Sequence, residues 1–251
     1  MSQPTAAVLL IGDELLSGRT RDINLQQIAQ YLEPLGIPVR ECRTVPDIQD
    51  EIVAAVNALR AKYTYVFTTG GIGPTHDDIT ADAIAAAFGA GISEHADAMR
   101  DMAARYAAMN VEFTAPRRRM ARVPHGASLV ANPVSGAPGF QMENVFTMAG
   151  VPQIVRAMLD DIGPRLETGA VVHKVAVNGK GLREGDLAVQ LGAIAAEAPT
   201  VSVGSYPWYR AVDDHGVALV ARSVDADALN GVRAKLEALA ISLGVTPEVE
   251  T

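Results

Sequence analysis

The chain has 251 residues, 49% of them hydrophobic, enough for one large domain or a medium and a small one with a sizeable core. Its formal net charge of −8 argues against nucleic acid as a partner, since phosphate backbones attract clustered Lys and Arg. Cys42 is the only cysteine, which excludes an intrachain disulfide, and no stretch approaches the ~20 apolar residues of a spanning helix.

The N-terminal apolar run lacks a basic leader and is cut by Gly12-Asp13-Glu14, so a cytoplasmic protein without membrane contact is expected. Ala6–Ile11 is wholly apolar, the pattern of a strand buried on both faces. Asp22–Leu35 places Leu25, Ile28, Ala29 and Leu32 on one helical face, with Gly36 as its stop. Val39–Val45 reads as a second strand, which makes Cys42 a packed thiol rather than a nucleophile. Asp47 suits the N-cap of a helix carrying Ile48, Ile52, Val56 and Leu59. Tyr63–Thr69 is a third strand, Thr80 suits the cap of an Ala-rich helix running to Gly89, and Ala96–Met109 is helical. Strands alternating with helices predict parallel pairing and an α/β fold, a three-layer α/β/α sandwich.

From Val111 to Gly150 Pro and Gly recur and the periodicity fades; Pro152–Ile162 is one more helix. Gly163-Pro164 and Thr168-Gly169 punctuate the chain, predicting a first domain over 1–165 and a small α+β domain over 169–251. The second unit reads β-α-β-β-α: Val171–Val177, Arg183–Glu197, Val201–Ser205, Val217–Arg222 and Ala226–Leu243.

Four segments concentrate Gly, Asp, Thr and Asn at strand ends, where open α/β sheets place ligands. They are Gly12-Asp13-Glu14 with Asp22 and Asn24, then Asp47, then Thr69–Thr80 (TGGIGPTHDDIT), and Asn132–Gly139 (NPVSGAPG). The third is the most informative. Gly70, Gly71 and Gly73 let backbone turn sharply and approach a ligand, and freed amides with the hydroxyls of Thr69 and Thr75 suit phosphate oxygens. Asp77 and Asp78 repel bare phosphate, so they predict a bridging Mg²⁺ or similar hard cation. Helix capping is the structural alternative for Asp77, Asp78, Asp22 and Asp47. The loop lacks the Gly-Lys-Ser/Thr end of a Walker motif and the GxGxxG fingerprint, which excludes an ordinary kinase or dinucleotide dehydrogenase reading.

IGDELLSG (Ile11–Gly18), TGGIGPTHDDIT and NPVSGAPGF (Asn132–Phe140) resemble the molybdopterin-binding domain of the MoaB/Mog superfamily, most closely its CinA-type branch. GSYPWYR (Gly204–Arg210) is similar to the small domain that follows it in CinA-type proteins and eukaryotic FAD synthases. The amidase domain of full-length CinA proteins does not fit in this length, so no deamidase activity is expected. In the family's adenylyltransferases an acidic residue after strand two and the last Asp of the Gly-rich loop are catalytic; by motif these resemble Asp47 and Asp78. CinA-type and FAD-synthase domains are associated with metal-dependent cleavage of pyrophosphates such as ADP-ribose or FAD. The resemblance therefore implies pyrophosphatase activity with Mg²⁺, Mn²⁺ or Co²⁺, with adenylyl transfer to molybdopterin or ligand binding alone as alternatives. Asp77 and Asp78 would hold the metal. Gly12, Asp13, Glu14, Asp22, Asn24, Thr69, Gly70, Gly71, Gly73, Thr75, Thr80, Asn132, Ser135, Gly136, Pro138 and Gly139 would line a site for a nucleotide or pterin phosphate. A homo-oligomer, dimer or trimer, is also implied. The chain departs from the family at Ala149-Gly150-Val151-Pro152, where Pro-Gly-Val-Pro is usual; the missing first Pro removes a φ constraint but no chemical group.

Weaker features remain. His76 is a metal or phosphate contact or an exposed loop residue, and His95, His125, His173 and His215 show no zinc spacing. Arg117, Arg118, Arg119 and Arg122 read as a solvated segment, or as a site for a single anion. Trp208 and Tyr209 are candidates to stack a planar ring, though aromatic clusters are more often packing.

Overall fold

The computed structural model describes residues 3–250, which divide after Gly169 into two compact units. The first runs β1 (Ala6–Ile11), the single-turn α1 (Asp13–Leu16), α2 (Asn24–Leu32), β2 (Val39–Val45), α3 (Gln49–Lys62), β3 (Tyr65–Thr69) and α4 (Thr80–Ala87). It continues with β4 (Ile92–Glu94), α5 (Ala96–Ala108), α6 (Ala115–Arg119), β5 (Arg122–Pro124), β6 (Ser128–Val130), β7 (Gly139–Met142), β8 (Val145–Met148) and α7 (Pro152–Ile162).

Its main sheet has the order β2-β1-β3-β8-β7-β6. β1 runs parallel to β2 and β3, and β3 to β8, while β6 and β7 close one end antiparallel. β1 is apolar throughout because both its faces are covered. Ala6, Val8 and Leu10 pack in one core with Ile28 and Leu32 of α2 and Val155, Met158, Leu159 and Ile162 of α7. Ala7, Leu9 and Ile11 pack in the opposite core with Ile52, Val56 and Leu59 of α3 and Ala83, Ile84 and Ala87 of α4. The result is a three-layer α/β/α arrangement around a mainly parallel sheet. With β1, β3 and β8 parallel, their carboxyl ends meet at one edge, and every polar loop singled out above leaves from there or packs against it.

Several local expectations are corrected. α3 is capped by Ile48, which is 54% exposed, and not by Asp47, whose carboxylate is used elsewhere. Thr80 is the first residue of α4, with Ile79 at the cap and no side-chain cap bond. Asp22 does serve the start of α2, its two oxygens accepting from the amides of Asn24 (3.0 Å) and Leu25 (3.2 Å). α2 gives way to a 3₁₀ turn over Glu33–Leu35 that ends at Gly36, φ 68°. Cys42 lies exposed on the edge strand β2 and is not packed; partial desolvation of the sulfur, with the Asp22 charge adding to it, still pushes its thiol up to about 11. The stretch 111–150, where periodicity fades, holds α6 and β5–β8. Its strands have three or four residues each, too short to show a period, and β8 is the fourth central strand.

The second unit runs β9 (His173–Lys180), α8 (Glu184–Glu197), β10 (Ser202–Ala211), β11 (Asp214–Ser223), α9 (Ala226–Ser242) and β12 (Glu248–Glu250). Its antiparallel sheet has the order β10-β11-β9-β12, around a core of Val175, Val177, Leu219, Leu229 and Leu236 among others. β12 adds a strand to the expected β-α-β-β-α pattern. β10 continues through Pro207, Trp208 and Tyr209, which lie within the strand and not beyond its end. Among the described residues no helix is long and apolar enough to cross a membrane.

Candidate functional site

At the carboxyl edge of the first unit's sheet lies an open cleft of ≈ 670 Å³, lined from Ile11 to Ile154. Its floor is the Gly-rich loop after β3. Gly70 and Gly71 have φ of 103° and 66°, conformations that favour glycine. A Cβ on Gly70 would stand 2.1 Å from the Ile11 carbonyl oxygen, and one on Gly71 2.1 Å from Thr80 Oγ1. The close approach of the loop to β1 and α4 therefore demands both glycines. The Gly70 amide donates to Met148 O (3.2 Å) and the Thr80 amide to Gly71 O (2.9 Å), which ties the loop to β8 and α4. Among the described residues the amides of Gly71, Ile72 and Gly73 have no hydrogen-bond acceptor, so they remain available to an anion.

Glu14, Asp47, Asp77 and Asp78 line the cleft, with no Lys or Arg among the lining residues. Asp47 Oδ2 accepts from the Asp13 amide (3.0 Å), and Asp78 Oδ2 accepts from Thr75 N (2.8 Å) and Thr75 Oγ1 (2.5 Å). Each of these two carboxylates thus has one oxygen held by the chain and a second, Oδ1, with no donor among the described residues. Burial raises the Asp47 carboxyl above its ordinary value. The Asp13 amide opposes that rise, and the charges of Asp13, Glu14 and Asp77 add to it. A crowd of carboxylates beside open amides fits a divalent cation shared with a ligand's phosphates, as Mg²⁺ is commonly held by one or two carboxylates plus phosphate oxygens. It does not fit an all-protein cage: among the described residues no group of three or more His, Cys, Asp or Glu could hold a metal. His76 is 99% exposed, its Nδ1 3.9 Å from Asp77 Oδ1.

The NPVSG loop and the start of α7 also line the cleft. Asn132 organises the first: its Oδ1 accepts from the amides of Val134 and Ser135 (both 3.1 Å), and its Nδ2 donates to Ser135 Oγ (2.6 Å) and Ala137 O (2.7 Å). Of the expected site residues, Gly12, Glu14, Asp47, Gly70, Gly71, Gly73, Asp77, Asp78, Asn132 and Ser135 line the cleft. The others stand behind it. Asp13 and Thr75 orient Asp47 and Asp78. Asn24, 6% exposed, donates from Nδ2 to Gly150 O (2.8 Å) and Thr69 Oγ1 (3.5 Å), tying α2 to the ends of β3 and β8. Thr80 is fully buried beneath Gly71. Gly136 lies against Arg105, Gly139 against the Thr147 carbonyl, and Pro138 lines neighbouring hollows instead.

Sequence reasoning missed Ile72, Tyr106, Met120, Gly150 and Val151 in the lining. The Ala149–Pro152 segment carried a signal, since it is one more small-residue turn at a strand end. Tyr106 carried none, because it sits on a helix far along the chain. The arginine cluster is not a free solvated segment. Arg119 Nη2 donates to Asp78 O (3.1 Å), Arg122 forks onto both oxygens of Asp82 (2.9 and 2.5 Å), Arg118 pairs with Glu94 (2.7 Å), and Arg117 bonds the Glu112 carbonyl. Trp208 belongs to the second unit, where it lies on Gly216 with the Arg210 guanidinium 4.9 Å above it, so it reads as packing.

Two family models match the chain: a probable molybdopterin-binding domain over residues 7–168, and the middle domain of FAD synthase over residues 174–247. A protein of Pyrobaculum calidifontis is 35% identical over 212 residues, which cover 81% of each chain. A CinA-like protein of Desulfosudis oleivorans is 37% identical over 168 residues, 65% of this chain but 41% of the longer relative. The solved structure of a CinA protein with unknown function from Thermoplasma acidophilum superposes with a TM-score of 0.60 at 30% identity, covering 65% of this chain and 99% of that one. The chain accordingly belongs to the molybdopterin-binding-domain family of MoaB/Mog type, with CinA-like relatives, and its residues 174–247 are similar to the middle domain of FAD synthase.

Proposed function

We propose that the cleft binds a nucleotide or pterin pyrophosphate together with a divalent cation and hydrolyses its phosphoanhydride, water adding to one phosphorus as the bridging oxygen leaves with the other phosphate, which releases AMP from substrates such as ADP-ribose or FAD. The observation that supports this is the composition of the lining: three unpartnered loop amides and four carboxylates, with no basic side chain. Amides alone suit a phosphate, and four carboxylates repel one. The two together suit a phosphate that arrives with its cation. The amides of Gly71–Gly73 hold the non-reacting phosphate. The free oxygens of Asp47 and Asp78, whose carboxylates are oriented by Asp13 and Thr75, would hold the cation together with Asp77. Bound there, the cation would neutralise charge developing on the leaving phosphate.

A screen of ADP-ribose, FAD, NAD and ATP with Mg²⁺, Mn²⁺ or Co²⁺, scored by AMP release, tests the reading. Metal-dependent release that disappears in Asp78→Asn supports it; no release from any substrate sinks it. A second reading, molybdopterin binding or its adenylylation from ATP, is favoured by the family description of residues 7–168. It requires both ATP and the pterin for turnover, which the same assay separates. A homo-oligomer is also expected, and light scattering of the purified chain tests it.

A further inference from the structure

The cleft lining also holds apolar side chains that the phosphate chemistry leaves unused, among them Ile72, Tyr106, Met120, Val151 and Ile154. Among the described residues Tyr106 is the only aromatic one in the lining. Its ring stacks on Phe113 (centroids 5.1 Å apart, planes 17° apart), and the Arg117 guanidinium lies over it at 5.0 Å. Arg117 is itself held by the Glu112 carbonyl. The ring is therefore fixed in place by Phe113 and Arg117, and the polar atom it brings to the cleft lining is its hydroxyl. That hydroxyl has no hydrogen-bond partner among the described residues, although the residue is only partly exposed.

We infer that Tyr106 is a specificity residue for the heterocyclic ring of the ligand, its hydroxyl hydrogen-bonding the ring's polar edge while Ile72, Met120, Val151 and Ile154 cover the ring. The inference rests on the reading that the cleft takes a nucleotide or pterin phosphate, and it adds which side chains receive the ring. A nitrogen heterocycle with donors and acceptors on its edge matches these side chains. A sugar phosphate has hydroxyls that could meet Tyr106 but leaves the apolar residues uncovered.

The test is calorimetric titration of the full chain and of Tyr106→Phe with AMP and with neopterin monophosphate, each in the presence of Mg²⁺. Phe keeps the stack on Phe113 and the contact with Arg117 and removes one oxygen, so the melting midpoint should not change. Affinity for the ring that meets Tyr106 should fall about 3- to 10-fold, the range of one neutral hydrogen bond. A loss confined to one ligand identifies that ring. Wild-type binding with no loss for either ligand in Tyr106→Phe overturns the ring assignment and leaves the phosphate reading standing. A wild-type chain that binds neither ligand overturns both.

Discussion

Asp47 and Asp78 each give one oxygen to the chain and keep one for the cleft. A carboxylate held in this way loses little orientation on meeting a cation, which favours charge stabilisation during reaction. Asp47→Asn and Asp78→Asn are expected to lower the rate of AMP release by about 100-fold or more with the fold intact, checked by steady-state kinetics and circular dichroism. Asp47→Asn should also raise the melting midpoint, by about 1–3 °C, because it removes a partly buried charge repelled by Asp13, Glu14 and Asp77. Gly71→Ala should act in the opposite sense. Its φ of 66° and the Thr80 hydroxyl beneath it predict a loss of about 1–3 kcal/mol and of phosphate affinity, checked by denaturant melts and AMP titration. The Gly-rich loop was legible because glycine, threonine and aspartate have few other reasons to gather after a strand. Asp47's true partner was not, since the Asp13 amide is 34 residues away and a helix cap is the default local use of an aspartate there.

The elements around the cleft are joined by polar ties that periodicity does not reveal. Arg119 on α6 reaches the Asp78 carbonyl, while Asp82 in the first turn of α4 receives the Arg122 fork and lies 3.5 Å from Arg119. These groups hold the loop's far end between α4 and the segment α6–β5. An arginine run reads as solvated surface in sequence because the partners of Arg118, Arg119 and Arg122 are 24 to 41 residues distant. Arg119→Met is expected to lower kcat for AMP release about 3- to 10-fold with a smaller change in melting midpoint, while Arg119→Lys should recover part of the rate; equal kinetics for Met and wild type would remove Arg119 from the loop's support. On the edge strand β2, Glu41 accepts from Tyr63 Oη (2.6 Å), Lys62 Nζ (2.9 Å) and Arg43 Nε (2.7 Å), which together hold its carboxyl down to about 2. Its folded value is thus below the ordinary 4.5 of an unfolded chain. The stability it contributes is present above about 4.5 and is lost as pH falls through about 2. Glu41→Gln should therefore be less stable than wild type near neutrality, the difference closing across that acid window; a pH-independent difference would count against the ion-paired account.

At the scale of the whole molecule, the alternating apolar runs were enough to specify the layers. β1 announces burial on both faces, and α2, α3 and α7 each show one apolar stripe. What escaped was the antiparallel closure β6–β7–β8 and the short strand β12, whose three- and four-residue strands carry too little pattern to distinguish from loop. The division of labour follows from where the cleft's residues lie. All of them fall between Ile11 and Ile154, within the first unit, which has both cores of its sheet to itself; residues 170–250 build a separate core around Val177, Leu219 and Leu236. A first unit of this size buries enough surface to fold without help. A chain ended after Gly169 is expected to remain folded and to bind AMP with Mg²⁺ within about twofold of the full chain, since it loses no group that lines the cleft, and one tenfold step in affinity corresponds to about 1.4 kcal/mol of contact. Calorimetric titration of the two chains side by side decides this. A tenfold or greater loss in the shortened chain, with its melting transition intact, would assign a ligand-binding role to the second unit.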